Sequence, residues 1–275
     1  MYENFYTALH RHGKDKLHLQ FLHEGRYVGS PNLLPLFEQL YNHHFEHTSF
    51  DFTRHLIPKK IHQIWLGSDI PDKYVSCMET WADAKGWEYR LWTEPDLEKM
   101  SLYNKDLYLL GKNYGEKSDI LRLEILYQEG GLYVDVDLEC LDIDFFDSLH
   151  RTLTFYAGFE PLEHRWLGIS NSLLGSSPEH PLLRKMIHGL RPHFLTHEQC
   201  WTVIKTGPKY VTGMIENFLN ESSHSQICFF PPSYFFPLSG NDIQKENYNV
   251  FKESVALHYW SGSWIWGVNN GKPFL

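Results

Sequence analysis

From Ile57 onward, apolar positions alternate with polar ones in short runs and recur every three to four residues in longer ones. Period two marks a strand and the longer spacing a helix. "KKIHQIWLGSDIP" reads as a short apolar strand closed by glycine and a polar turn. In "WEYRLWTEPDL", Trp87, Tyr89 and Leu91 alternate with Glu88, Arg90 and Trp92, a second strand, with a helix predicted from Pro95. "GEKSDILRLEILYQEGG" predicts a helix that starts near Lys117 or Ser118 and stops at Gly130-Gly131. Ile120, Leu121, Leu123, Ile125, Leu126 and Tyr127 cover most of its circumference, so it should be buried. "GGLYVDVDLE" follows as a strand, then "LTFYAGFE" as another. "SNSLLGSSPEHPLLRKMIHGL" reads as strand, loop and helix, and "TGPKYVTGMIENFL" as a helix with Pro208 in its first turn. In "VALHYWSGSW", Val255 and Leu257 alternate as a short strand and Gly262 supplies a turn. Strands alternating with helices predict an α/β fold with a mostly parallel central sheet covered on both faces.

Residues 1–55 have a different texture. They hold His10, His12, His18, His23, His43, His44, His47 and His55 and one predicted helix at "NLLPLFEQLYNHHF". The histidine spacings repeat no ligand pattern, which predicts a helical N-terminal extension with solvated histidines ahead of one domain over 56–275. Composition narrows the function. Aromatics make up 16% of the chain, which suits a stacking or carbohydrate site as well as a large core. A net charge of −9 without a long basic run excludes a nucleic-acid surface. An anionic ligand therefore needs a local cation. The N-terminus lacks the pattern of a signal peptide, and no apolar run reaches the roughly 18 residues of a membrane span. Peripheral membrane association stays compatible with this. Cys77, Cys140, Cys200 and Cys228 show no metal spacing, and four reduced thiols fit a cytoplasmic protein.

Chemistry concentrates towards the end of the "GGLYVDVDLE" strand. Alternation places Leu132, Val134, Val136 and Leu138 on one face and Tyr133, Asp135, Asp137 and Glu139 on the other. Two carboxylates about 7 Å apart along a strand, with no cation next to them in sequence, repel unless a proton or cation intervenes. Oxygen ligands favour Mg²⁺ or Mn²⁺, which complete their shell with substrate phosphates. A DxD alone is common, and acidic residues at a solvated strand end need no metal. The neighbours sharpen it. Asp119 and Arg122 lie one helical turn apart on the helix that feeds this strand, where an ordinary salt bridge is the simpler role. Trp65 ends the first strand, at the edge where open α/β sheets bind ligands, as core or as a platform for a nucleobase.

"IPKKIHQIWLG", "SDILRLEILYQEGGLYVDVDLECL" and "ALHYWSGSW" together resemble the signature blocks of DxD glycosyltransferases. The resemblance is to family 32, which groups yeast-type initiating α-1,6-mannosyltransferases with α-1,4-galactosyl- and α-1,4-N-acetylglucosaminyltransferases. More distantly the chain is similar to the glucosylating domain of clostridial toxins. The resemblance spans residues 57–266 and implies a GT-A, Rossmann-like nucleotide-sugar fold. It implies that Trp65 stacks on the nucleotide base and that Asp119 and Arg122 hold the donor sugar and its phosphate. Asp135 would contact ribose or sugar hydroxyls and support the metal, Asp137 would ligate it, and His258 would add a third ligand. Ser263 and Trp264 would hold the diphosphate, and Asn171 would approach the transferred sugar. The implied reaction is metal-dependent transfer of a hexose, with retention, from a nucleoside-diphosphate sugar to a glycan, lipid-linked or protein acceptor. An imidazole beside two aspartates favours Mn²⁺ over Mg²⁺, and the similarity of the Trp platform and "SGSW" tail to the toxin domains implies a UDP-sugar ahead of GDP-mannose. Polysaccharide biosynthesis is the implied setting.

Two other enzyme classes use DxD. Haloacid-dehalogenase-like phosphatases follow the second Asp with Thr or Val two residues on, where this chain has Leu138-Glu139. Nucleotidyltransferases place a Gly-Ser about ten residues before the DxD, whereas Gly67-Ser68 lies far upstream. A non-catalytic protein that binds sugar nucleotide or glycan on the same fold is the alternative from a different class.

Overall fold

The short apolar runs assemble into one six-stranded sheet. The computed structural model describes residues 2–11, 33–47, 54–161, 167–221, 226–239 and 250–262. Its strands are β1 (Lys60–Ile64), β2 (Glu88–Trp92), β3 (Gly131–Val134), β4 (Leu138–Cys140), β5 (Phe155–Phe159), β6 (Ile169–Ser176), β7 (Ile227–Phe230) and β8 (Ala256–His258). The large sheet runs β2-β1-β3-β6-β5-β7, and β4 pairs with β8 in a separate two-stranded sheet. Pairs β1/β2, β1/β3 and β5/β7 are parallel, while β6 runs antiparallel to both β3 and β5. The α/β expectation holds, with the sheet mixed and mostly parallel. Parallel β1 and β3 end at one edge, and antiparallel β6 begins there. That edge carries the site.

Helices α1 (Phe5–Leu9) and α2 (Leu34–His47) come from the N-terminal segment. Phe5 and Phe37 sit 6.2 and 5.0 Å from Phe159, and Phe37 is 5.0 Å from Phe229, so both helices close one end of the main core. His44 departs from the expectation of solvated histidines. It is buried in this aromatic layer, and burial pushes its imidazole down to about 4. Next come α3 (Asp72–Ala82), α4 (Glu94–Leu97), α5 (Lys105–Leu110), α6 (Tyr114–Glu129) and α7 (Ile143–Thr152). They are followed by α8 (Pro181–Thr196), α9 (Thr202–Lys205), α10 (Pro208–Leu219) and α11 (Pro232–Phe235). Among the described residues, no helix is long and apolar enough to cross a membrane. The four cysteines are free thiols.

Two expectations need correction. Helix α6 starts at Tyr114, ahead of Lys117, because Asn113 caps it: its Oδ1 accepts from Glu116 N at 2.9 Å. The stretch from Gly130 to Glu139 is not one strand. It leaves the sheet after Val134, and Leu138 N donates back to Asp135 O at 3.1 Å to make a turn. Asp135 N still donates to Ser172 O at 2.9 Å on β6, the last rung of that pairing. Beyond it, a sheet covered on both faces offers carboxylates no solvent, and the chain turns away into β4. The alternating-face assignment therefore fails from Val136 onward. As predicted, Gly130 and Gly131 stop the helix, both in the left-handed region (φ 62° and 109°). A Cβ on Gly131 would lie 2.7 Å from Lys60 O, so β3 approaches β1 as closely as it does only with glycine there.

Candidate functional site

Four elements bring the site together. Helix α6 runs back along β3 and puts Asp119 and Arg122 at the sheet edge, as their spacing predicted. Arg122 is buried, with Nη2 3.2 Å from Asp119 Oδ1 and Nη1 3.3 Å from Asp135 Oδ1. Nη1 also donates to Asn171 O at 2.6 Å, and the guanidinium lies 4.5 Å from the Tyr133 ring centroid. Asp135 is thus not without a cation, contrary to the local sequence: Arg122 supplies one from the preceding helix. Tyr133 Oη donates to the same Asp135 oxygen at 2.6 Å. Burial pushes the Asp119 carboxyl up to about 6, against the pull of Arg122. Burial likewise raises Asp135, and Arg122 only partly offsets it.

The turn delivers Asp137, and the small sheet delivers its partner. Leu138 pairs with His258 across β4 and β8. His258 Nε2 lies 3.2 Å from Asp137 Oδ1, both groups buried. The other carboxylate oxygen, Oδ2, accepts from Ser261 N at 2.8 Å and Ser261 Oγ at 2.7 Å. Burial alone would raise the Asp137 carboxyl. The His258 imidazole and Ser261 outweigh it and hold the group well below the usual carboxylate range. His258 is shifted the other way, with Asp137 overcoming its burial.

The residues fit a divalent cation. Asp135, Asp137 and His258 each offer a ligand atom, and these atoms lie within 4.8 Å of one another. His258 Nδ1 is a buried nitrogen with no partner. Asp119, Asp135 and Asp137 set three carboxylates against the one guanidinium of Arg122, an imbalance that a divalent ion offsets.

Trp65 directly follows β1, its N donating to Trp92 O at 3.0 Å. Its half-buried indole joins a small cluster of Tyr74, Met78, Leu91, Ile70 and Val136. Val136 stands between the two aspartates, so the cluster ties the indole to the DxD turn. Trp65 Nε1 donates to Ser68 O at 2.9 Å. Asn171 is at the edge as expected, but its side-chain amide donates to Asp119 Oδ1 at 2.8 Å. Ser263 and Trp264 lie outside the described residues. Sequence reasoning missed Tyr133, Thr206 and Ser261. Tyr133 had a signal, since it shares the face assigned to Asp135. Lone hydroxyls such as Thr206 and Ser261 have none.

A candidate cation site where parallel strands end, beside a Trp at the same edge, is the arrangement that the resemblance to glycosyltransferases of GT-A architecture implies. Residues 59–150, which hold Trp65, Asp119, Arg122 and both aspartates, match the family model described as "Glycosyltransferase sugar-binding region containing DXD motif". The chain is 32% identical over 234 residues to inositol phosphoceramide mannosyltransferase 1 of Schizosaccharomyces pombe, covering 80% of this chain and 68% of the relative. It is 31% identical over 183 residues to inositol phosphoceramide mannosyltransferase 3 of the same organism, covering 61% of this chain and only 47% of that relative. Among solved structures, the PaToxG glycosyltransferase superimposes with a TM-score of 0.50 at 18% identity, over 75% of this chain and 81% of that one, a likeness of fold. The chain belongs to the family of DXD glycosyltransferases, and it is an enzyme of that type.

Proposed function

We propose that this enzyme moves a mannosyl group, with retention and with a divalent metal, from a nucleoside-diphosphate sugar to a phosphoinositol-bearing lipid. The observation that carries the reading is the convergence of Asp135, Asp137 and His258 beside the buried Arg122. The names of the two yeast relatives support mannose as the sugar and inositol phosphoceramide as the acceptor class. They favour GDP-mannose over the UDP-sugars that the tail pattern favours. Asp135, Asp137 and His258 hold Mn²⁺ or Mg²⁺. When bound, the ion offsets the charge that grows on the departing diphosphate, so no general acid is needed there. Arg122 adds fixed positive charge at the same edge, in a site where burial strengthens it. Asp119 and Arg122 hold the donor sugar, Trp65 takes the base, and Ser263 and Trp264 hold the diphosphate.

The test incubates the chain and Mn²⁺ with GDP-mannose, UDP-glucose, UDP-galactose or UDP-N-acetylglucosamine, with and without inositol phosphoceramide in micelles. Mannosylated lipid and released GDP are expected with the first donor, abolished by EDTA and restored by Mn²⁺. Full turnover in chelator would sink the metal role. Product from a UDP-sugar alone would replace the donor, and binding without any turnover would leave a sugar-nucleotide binder. Asp137→Ala should lose nearly all turnover and remain folded by circular dichroism.

A further inference from the structure

The cap residue of α6 and two residues of its first turns, three positions apart, are each bonded to a side chain from the short segment 202–206. Asn113 Nδ2 donates to Thr202 Oγ1 at 2.9 Å. Lys205 Nζ donates to Glu116 Oε2 at 3.0 Å, with both side chains buried. Thr206 Oγ1 donates to Asp119 Oδ2 at 2.7 Å. Glu116 and Asp119 are neighbours on one face of α6, so these two bonds, with the one at the Asn113 cap, tie the start of α6 to the 202–206 segment. An isolated buried ion pair does little for net stability, and its strength lies in specifying an arrangement. Here Lys205 is fully buried, its ammonium 3.9 Å from the Phe194 ring centroid and paired with the Glu116 carboxylate.

The last bond differs from the first two because it reaches the site. Asp119 has its Oδ1 occupied by Asn171 and Arg122, while Oδ2 accepts from Thr206. We propose that Thr206 is a positioning residue for the donor: its hydroxyl holds the Asp119 carboxylate in the orientation that meets the donor sugar. Without that hydroxyl, Oδ2 is a buried acceptor lacking its donor, and the carboxylate is held through Oδ1 alone, by Asn171 and Arg122. Lys205 and Thr202 set the segment from which the hydroxyl reaches. This role rests on the reading of Asp119 as a sugar-holding residue.

The experiment compares Thr206→Val, which keeps shape and removes the donor, with Thr206→Ser, which keeps the hydroxyl. GDP-mannose binding is read by calorimetry with Mn²⁺ present, using the UDP-sugar instead if that is the donor turned over in the panel above. Steady-state KM and kcat and the melting temperature are measured alongside. Thr206→Val is expected to weaken donor binding and raise KM roughly tenfold, as loss of a hydrogen bond to a charged group does, with a smaller change in kcat. Thr206→Ser should stay within about twofold of the native chain. In an Asp119→Asn background, the penalty of Thr206→Val should largely disappear, because both changes act through one contact. Donor binding by Thr206→Val within twofold of native, a serine variant as weak as the valine one, or an undiminished penalty beside Asp119→Asn would each overturn the positioning role. If the valine chain does not fold, Thr206→Ala against Thr206→Ser makes the same comparison. Native donor affinity in Asp119→Asn alone would instead remove the reading of Asp119, and the positioning role with it.

Discussion

Trp65 shows how one side chain can serve a site without building the core. Its indole rests on a cluster of only a few residues, separate from the main core. Trp65→Ala is therefore expected to weaken nucleotide binding by about 1–3 kcal/mol, the range for base–aromatic stacking, while leaving the melting temperature close to native. A titration of nucleotide with Mn²⁺ checks it, and an unfolded variant with unchanged affinity in the surviving fraction would make the indole structural. His258 is the reverse case, a site residue held against side chains of the main core. Its ring lies 4.2 Å from Trp260 and 5.8 Å from Phe236, so the imidazole is fixed before any ion arrives. His258→Ala is expected to raise the Mn²⁺ concentration for half-maximal rate and leave donor binding in excess Mn²⁺ less affected. An unchanged metal requirement would remove it from the pocket.

At the scale of elements, the junction between α6 and β3 governs the geometry. Gly131→Ala sets a Cβ 2.7 Å from Lys60 O at a φ of 109°. It is expected to destabilise the fold by about 2–4 kcal/mol, combining left-handed strain with overpacking, read as a lower urea midpoint with an unchanged slope. The elements with strong periodicity were legible. Helix α6 and strands β1, β2, β5 and β6 stand where their apolar spacing puts them, and Asp119, Arg122, Asp135 and Asp137 converge. The α3 helix carries Tyr74, Cys77, Met78 and Trp81 at helical spacing, a signal present in the sequence and left unread. The break after Val134 had no such signal. Apolar Val136 and Leu138 continue the period of two, and the pairing of β4 with distant β8 that follows the turn has no local mark. The hydroxyls of Thr206 and Ser261 are invisible for the same reason: their meaning lies in contacts more than 80 residues away.

For the molecule as a whole, three buried histidines contribute a response to acid. His62 donates from Nε2 to Gly130 O at 2.8 Å, and its Nδ1 accepts from Trp92 Nε1 at 3.1 Å, a pattern only the neutral ring can make. Burial pushes His62 down to about 4 and His150 to about 3, beside His44 at about 4. With folded values below the unfolded 6.5, protonation favours the unfolded chain. The contribution of these three histidines is full above about pH 6.5 and is lost as the pH drops towards 4. His62 alone is expected to account for on the order of 3 kcal/mol over that window, and urea midpoints at pH 7 and pH 4.5 measure the combined loss. His62→Gln should flatten the dependence. The β4–β8 ladder joins Asp137 to His258 across 121 positions of chain. A chain leaving the ribosome presents all six strands of the large sheet, through Phe230, before β8 appears. Folding that proceeds from the N-terminus therefore raises the scaffold first, and the pocket gains its nitrogen ligand only after every strand of the large sheet has been made. An incompletely synthesised chain can hold the family's architecture and still lack its chemistry.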